Sequence, residues 1–221
     1  MTDRRILTLL FLVVSFTLRA ESLSLDGEWM LLRSAQGERP APGAAWEKVV
    51  TPHLVGHVPD KPFLWYRKNV GIPVGWSGRH LFLHFEGVKF VTEVYVDGNR
   101  VGGHAGGFEP WEVDLGNACA AGREHELLLR VQDITGLIEG ELDLTKLKPG
   151  MRFVSLAKNS LMAPVGSQYT RFGLWQGASL LARADVYIED VFIRPSVRKG
   201  TLAAEVTLRN LGARSREVSL A

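Results

Sequence analysis

The chain has 221 residues, 46% of them hydrophobic, with 26 Lys and Arg against 24 Asp and Glu and a formal charge of +2. That is ample material for a packed core, and the dispersed, nearly balanced charge offers no basic face for nucleic acid. The single cysteine, Cys119, excludes an internal disulfide. With no Cys or His at metal-ligand spacing beside it, it reads as a small buried apolar residue, and no metal or cofactor is expected.

In chain order, the first element is Arg4-Arg5 followed by an apolar run over 6–18, broken only by Thr8, Ser15 and Thr17. This layout predicts an export signal over residues 1–20, because the run is shorter than the roughly 20 residues a spanning helix needs. Leu18 is larger than the residue usual three positions before a cut after Ala20, so the sequence does not fix the cleavage point. A periplasmic or extracellular chain, free of the membrane after cleavage, is expected; an uncleaved N-terminal anchor is the competing reading.

Beyond residue 22 the apolar period is two, in short segments parted by Gly, Pro and Asp, which predicts an all-β fold with few and short helices. In 79–87, Leu81, Leu83 and Phe85 point one way while His80, Phe82, His84 and Glu86 point the other. Residues 90–96 repeat the pattern, and Asp97-Gly98-Asn99 tolerates the positive φ of a tight hairpin. Strands are also predicted over 126–131, 185–193 and 201–209. Two stretches break the rhythm. Residues 34–62, with five prolines, predict a surface excursion rather than strands, and 136–168 a second one with a helical turn or two over 137–147. Both are expected to crowd one rim of a sandwich covering 21–184. A second unit, 185–221, carries only about three strands where an immunoglobulin-like sandwich needs about seven, so Val206, Leu208 and Val218 would face no opposing sheet and could favour a homo-oligomer. The sequence therefore reads as a fragment of something longer.

Six motifs then occur in order: Leu25-Asp26-Gly27-Glu28-Trp29, Trp65-Tyr66-Arg67-Lys68, Leu83-His84-Phe85-Glu86-Gly87-Val88, Val94-Tyr95-Val96-Asp97-Gly98-Asn99, Gly106-Gly107-Phe108 with Asp114, and Gly173-Leu174-Trp175-Gln176-Gly177 before Ser179-Leu180. This succession resembles the N-terminal sugar-binding domain of family 2 glycoside hydrolases, the β-galactosidase, β-glucuronidase and β-mannosidase group. The resemblance implies a galactose-binding-like jelly-roll β-sandwich, then an incomplete immunoglobulin-like β-sandwich, with a catalytic barrel missing from these residues. In the family two barrel carboxylates flank the glycosidic bond, the acid/base following an Asn. No Asn-Glu dipeptide occurs here. Glu86, Glu93, Glu109, Glu112 and Asp114 alternate with apolar positions and read as solvated strand faces, so no catalytic residue is assigned.

The resemblance also implies that a loop of this domain reaches the sugar through an aspartate six residues before the glycine matching Gly173. Ser167 stands there, which lacks the charge that strengthens such a bond and leaves a galactosidase or glucuronidase label unsupported. Gln168 and Tyr169 complete the candidate sugar contacts, an amide offering donor and acceptor and a ring able to stack on a pyranose, against ordinary loop packing. Gly102, Gly103, Gly106 and Gly107 around His104 lie between strands and read as turns and a bulge rather than a phosphate cradle. His53 and His57 sit among prolines without a third ligand, so surface or capping roles are expected. Of the six tryptophans, Trp29 and Trp65 read as core, while Trp46, Trp76 and Trp111 are weighed between a stacking platform and packing.

The resulting expectation is the non-catalytic N-terminal portion of an exported β-glycosidase, partnered by β-linked carbohydrate and by its own catalytic barrel. The rival readings are a free-standing carbohydrate-binding module and a cell-envelope adhesion protein.

Overall fold

The alternating segments form fourteen strands in the computed structural model, which describes residues 21–56, 58, 60–133 and 171–218. They are β1 (Glu21–Ser24), β2 (Gly27–Ser34), β3 (Glu47–Thr51), β4 (Val55–Gly56), β5 (Phe63–Gly71), β6 (His80–Phe85), β7 (Val88–Val96), β8 (Asn99–Gly106), β9 (Trp111–Asp114), β10 (Glu124–Gln132), β11 (Arg171–Leu174), β12 (Ala178–Arg183), β13 (Val186–Ser196) and β14 (Thr201–Asn210). A four-stranded sheet has the order β1-β12-β6-β9; an eight-stranded sheet runs β3-β2-β5-β10-β7-β11-β4, with β8 also paired to β7. The result is an all-β, jelly-roll sandwich followed by the two-stranded β13–β14 hairpin.

One core joins the two layers. Leu83, Phe85 and Leu180 of the smaller sheet meet Trp29, Leu31, Leu64, Tyr66, Leu127, Leu129 and Val94 of the larger, all essentially unexposed. Burying each such side chain contributes about 1.5–3 kcal/mol, and truncating Leu83 or its cross-strand partner Leu180 to Ala would cost about 2–5 kcal/mol. The period of two is thus converted directly into one dry face per sheet.

The Asp97-Gly98 turn shows why local chemistry fixes register. Asp97 has φ 47° and Gly98 φ 83°, the two positive values a two-residue hairpin turn requires. The Asp97 carboxylate accepts the Glu126 N–H at 2.9 Å and the His125 Nδ1–H at 2.6 Å, while His125 Nε2 accepts the Ala120 N–H at 3.0 Å. That arrangement fixes the Nδ1–H tautomer of His125, and its hydrogen bond holds the Asp97 carboxyl below the usual range. Along the same hairpin a register shift leaves Val101 as the bulge between Arg100 and Gly102. The glycines of β8 are strand residues, Gly103 lying against the Thr92 carbonyl where no Cβ fits.

The proline-rich stretch 34–62 departs from expectation, since β3 and β4 lie within it. Glu47–Thr51 alternates side chains and pairs with β2 from Gly27↔Thr51 to Leu31↔Glu47, and Pro52 follows the strand rather than interrupting it. Among the described residues the only helical element is a three-residue 3₁₀ turn, Val74–Trp76, and no helix is long and apolar enough to cross a membrane. The segment expected as an export signal, 1–20, and the whole second excursion, 136–168 with its expected turns at 137–147, lie outside the described residues.

The β13–β14 hairpin leans on the small sheet at its base. Tyr187 packs against Phe82 with ring centroids 6.1 Å apart, and the Arg183 guanidinium lies 4.7 Å and 4.6 Å from the two centroids. Arg183 also donates two hydrogen bonds to Glu112, at 2.6 and 2.7 Å. Further out, Val191, Phe192, Ile193 and Leu202 are exposed, so the apolar surface expected from Val206 and Leu208 is shared by both strands.

Candidate functional site

Ser167, Gln168 and Tyr169 lie outside the described residues, but the strand that follows them is placed. In β11, Arg171 and Phe172 pair with Gly56 and Val55, while Gly173 and Leu174 pair with Lys89 and Val88. Gly173 has φ 135°, and a Cβ there would sit 2.6 Å from Tyr66 Oη and 2.7 Å from the His53 carbonyl. Only glycine fits, because two neighbours already occupy the space. Tyr66 Oη lies 3.2 Å from His53 Nδ1 and is also hydrogen-bonded to the Leu174 backbone; burial holds the phenol well above its ordinary range. Burial, then the Arg33 charge, holds His53 below its ordinary value. His53 is therefore a buried-edge partner of a core tyrosine, and His57 lies outside the described residues.

Beside β11 the chain builds an aromatic cluster around a lysine that the sequence did not announce. Lys89 is only 4% exposed, yet its Nζ lies 4.5 Å from the Phe108 ring centroid and 5.0 Å from that of Trp175. Both rings are half-buried, so the rim opens to solvent. Trp175 Nε1 donates to the Gly107 carbonyl at 2.7 Å, and the two rings meet edge-on at 5.8 Å. Gly107 and Gly87 allow this closeness: a Cβ on the first would meet the Phe90 ring at 3.0 Å, and on the second Trp175 Nε1 at 2.7 Å. Glu109 fixes the Phe108 backbone, accepting its N–H at 3.0 Å and lying 2.8 Å from His104 Nε2. These bonds, the Phe108 N–H foremost, bring the Glu109 carboxyl down to about 2. Burial lowers the Lys89 ammonium from its ordinary value. The one sequence signal for Lys89 is a lysine set between Val88 and Phe90 at the start of a strand.

The acids expected on solvated faces lie there, Glu86, Glu109, Glu112 and Asp114 exposed and Glu93 half-buried, and each also has a partner. Glu112 is raised by burial but brought lower overall by Arg183 and His84; Glu86 lies 3.1 Å from His84 Nε2; Glu93 accepts from the Tyr95 hydroxyl and pairs with Arg130; Asp114 accepts the Gly116 N–H. Each is tied to a partner that neutralises or orients it. Among the described residues, no group of three or more His, Cys, Asp or Glu side chains suits a metal ion. A cleft of about 320 Å³ between Glu112, Arg183, Tyr187 and Arg209 marks the hairpin's base, its cations already matched by acids.

The tryptophans sort by burial. Trp29 and Trp65 are buried as expected, but Trp76 and Trp111 are buried too and form no platform. Trp76 Nε1 donates to Glu21 at 2.7 Å, and Trp111 stacks on Phe85 at 4.4 Å. Trp46 is half-buried with the Arg67 guanidinium 4.3 Å over its ring. Cys119 is a buried free thiol, pushed up to about 11 by burial and then by Asp97.

The recurring motifs thus have structural tasks. Asp26 accepts the Ala178 N–H at 2.9 Å, Trp29 Nε1 donates to the Leu25 carbonyl at 2.7 Å, and Gly173 admits Tyr66. The family model described as "Glycosyl hydrolases family 2, sugar binding domain" matches residues 49–159, half of the chain. A curated relative, the β-galactosidase of Thermoanaerobacter pseudethanolicus, is 42% identical over 65 residues, covering 29% of this chain and 9% of that protein. Among solved structures, Faecalibacterium prausnitzii β-glucuronidase superposes with a TM-score of 0.63 at 23% identity, over 88% of this chain and 36% of that one. The β-D-mannosidase of Dictyoglomus thermophilum gives 0.65 at 20% identity, over 86% and 26%. The chain thus spans about a third or less of these larger proteins, and the likeness to the solved structures is one of fold. With the family model matching half of the chain, the chain belongs to the sugar-binding domain family of the family 2 glycosyl hydrolases.

Proposed function

We propose that the chain supplies the non-catalytic, sugar-facing layer of an exported family 2 β-glycosidase, its hydrolytic carboxylates residing in a barrel outside these residues. Residues 21–184 form the sugar-facing unit in this reading, and 185 onward begins the immunoglobulin-like unit. The observation that carries it is the match of the family's sugar-binding domain to 49–159. The acids of this sandwich serve as hydrogen-bond acceptors and ion-pair partners, which suits a positioning layer rather than bond cleavage. β-Linked carbohydrate is the partner, met at the rim where β11 follows Ser167, Gln168 and Tyr169.

The test is the gene beyond the Ala221 codon. A frame that continues into a barrel with an Asn-Glu dipeptide and a second glutamate on barrel strands supports the reading; a stop at that codon favours a free-standing carbohydrate-binding module. In parallel, the purified chain is expected to leave aryl β-glycosides intact, and turnover abolished by changing one of its own carboxylates would overturn the assignment. Export is tested by fusing residues 1–22 to a periplasm-dependent reporter, with activity expected only when the signal is present.

A further inference from the structure

We propose that Lys89, framed by the rings of Phe108 and Trp175, forms a subsite for an oxyanion carried on a β-linked sugar, a carboxylate or a sulfate ester. The proposal rests on the sugar-facing reading above and adds the charge of the ligand.

Several other basic groups of the sandwich already meet an oxygen partner. Arg183 holds Glu112, Arg130 holds Glu93 and the Gly37 carbonyl, Arg39 holds Glu126, and Lys68 donates to the Glu28 carbonyl at 2.8 Å. Lys89 alone combines near-complete burial with no carboxylate or hydrogen-bond acceptor among the described residues. An ammonium carries three N–H donors, and ring faces attract its charge without accepting those hydrogens as an oxygen would. A buried charge is ordinarily paired, so this environment is complementary to an anion that brings its own oxygens.

The surroundings narrow that anion to one on a sugar. Phe108 and Trp175 keep exposed ring area beside the ammonium, a surface on which a pyranose C–H face can lie while a charged substituent reaches Nζ. The wall is fixed in advance. Trp175 is anchored to the Gly107 carbonyl, Phe108 is held through Glu109, and a Cβ at Gly107 would approach Lys89 Cγ at 3.4 Å. A preset aromatic wall favours binding because little side-chain freedom is lost when the ligand arrives.

The experiment follows the Trp175 indole N–H resonance of the full ¹⁵N-labelled chain during titration with methyl β-D-glucuronide, methyl β-D-glucoside and methyl β-D-glucoside 6-sulfate. Sodium acetate and sodium sulfate serve as ion controls. An acidic glycoside is expected to bind at least tenfold more tightly than the neutral one, and Lys89→Met or Lys89→Gln to erase that preference. A response to the glucuronide alone identifies a carboxylate subsite, and to the sulfated sugar alone a sulfate subsite. Equal binding of neutral and acidic glycosides, a preference surviving in both variants, or an equal response to the free ions, meaning an adventitious ion only, would overturn the charge assignment. Equal sugar binding leaves the sugar-facing reading standing; no response to any glycoside sinks this proposal and counts against sugar contact at this rim.

Discussion

Gly173→Ala probes the contact that seats β11 against the core. The residue has φ 135°, where a non-glycine residue costs about 1–3 kcal/mol. Its new Cβ would lie 2.6 Å from Tyr66 Oη and 2.7 Å from the His53 carbonyl, so tyrosine or backbone must move, adding about 1–3 kcal/mol of overpacking. The sum, about 2–6 kcal/mol, is a large share of the 5–15 kcal/mol typical of a domain. At about 2–4 °C per kcal/mol for a domain of this size, the melting temperature should fall by roughly 4–24 °C. The control is Gly71→Ala, whose Cβ meets nothing within 4 Å and whose φ is ordinary; it should be neutral or stabilising by up to about 1 kcal/mol. Circular-dichroism melts and urea midpoints of both variants decide the matter. In a Tyr66→Phe background the loss at 173 should shrink, since the nearest clashing atom is gone. Equal stability of the Gly173→Ala and Gly71→Ala chains would refute the steric account.

Further outcomes follow from the same geometry. Glu109 is depressed to about 2, so its contribution is present above the ordinary carboxylate range and lost as pH falls from about 4.5 towards 2; Glu109→Gln should flatten that part of a pH–melting curve. Cys119 is buried with its thiol pushed up to about 11, so a disulfide dye at pH 8 should label it slowly in the native chain and rapidly in urea. Replacing Arg183 with Met removes both bonds to Glu112 and the charge above Phe82 and Tyr187, and hydrogen exchange should accelerate in 186–196 and 201–210 while β10 stays protected. Faster exchange in β10 as well would mean that Arg183 supports the whole sandwich.

What the sequence revealed was whatever is encoded locally. The Asp97-Gly98 turn needs two adjacent residues at positive φ, and the Leu81, Leu83, Phe85 face needs only a period of two, so both were legible without a structure. β3 was not, because prolines on either side outweighed the alternation in Glu47–Thr51. Long-range partners were equally hidden. Glu112 reads as a solvated acid with nothing to announce its bond to Arg183, Trp76 stays open between platform and packing until its indole finds Glu21, and nothing in the sequence sets Lys89 beside Phe108 and Trp175. The candidate contacts at 167–169 came from resemblance alone, since serine, glutamine and tyrosine in a loop carry no spacing that distinguishes a ligand contact from packing.

Because Asp26, Asp97 and Gly173 hold up backbone and neighbouring rings, these signature positions record architecture and say nothing of diet. A domain could exchange one saccharide for another without disturbing any of them. In the subsite proposed above, change would instead fall on Lys89, which none of these backbone contacts uses.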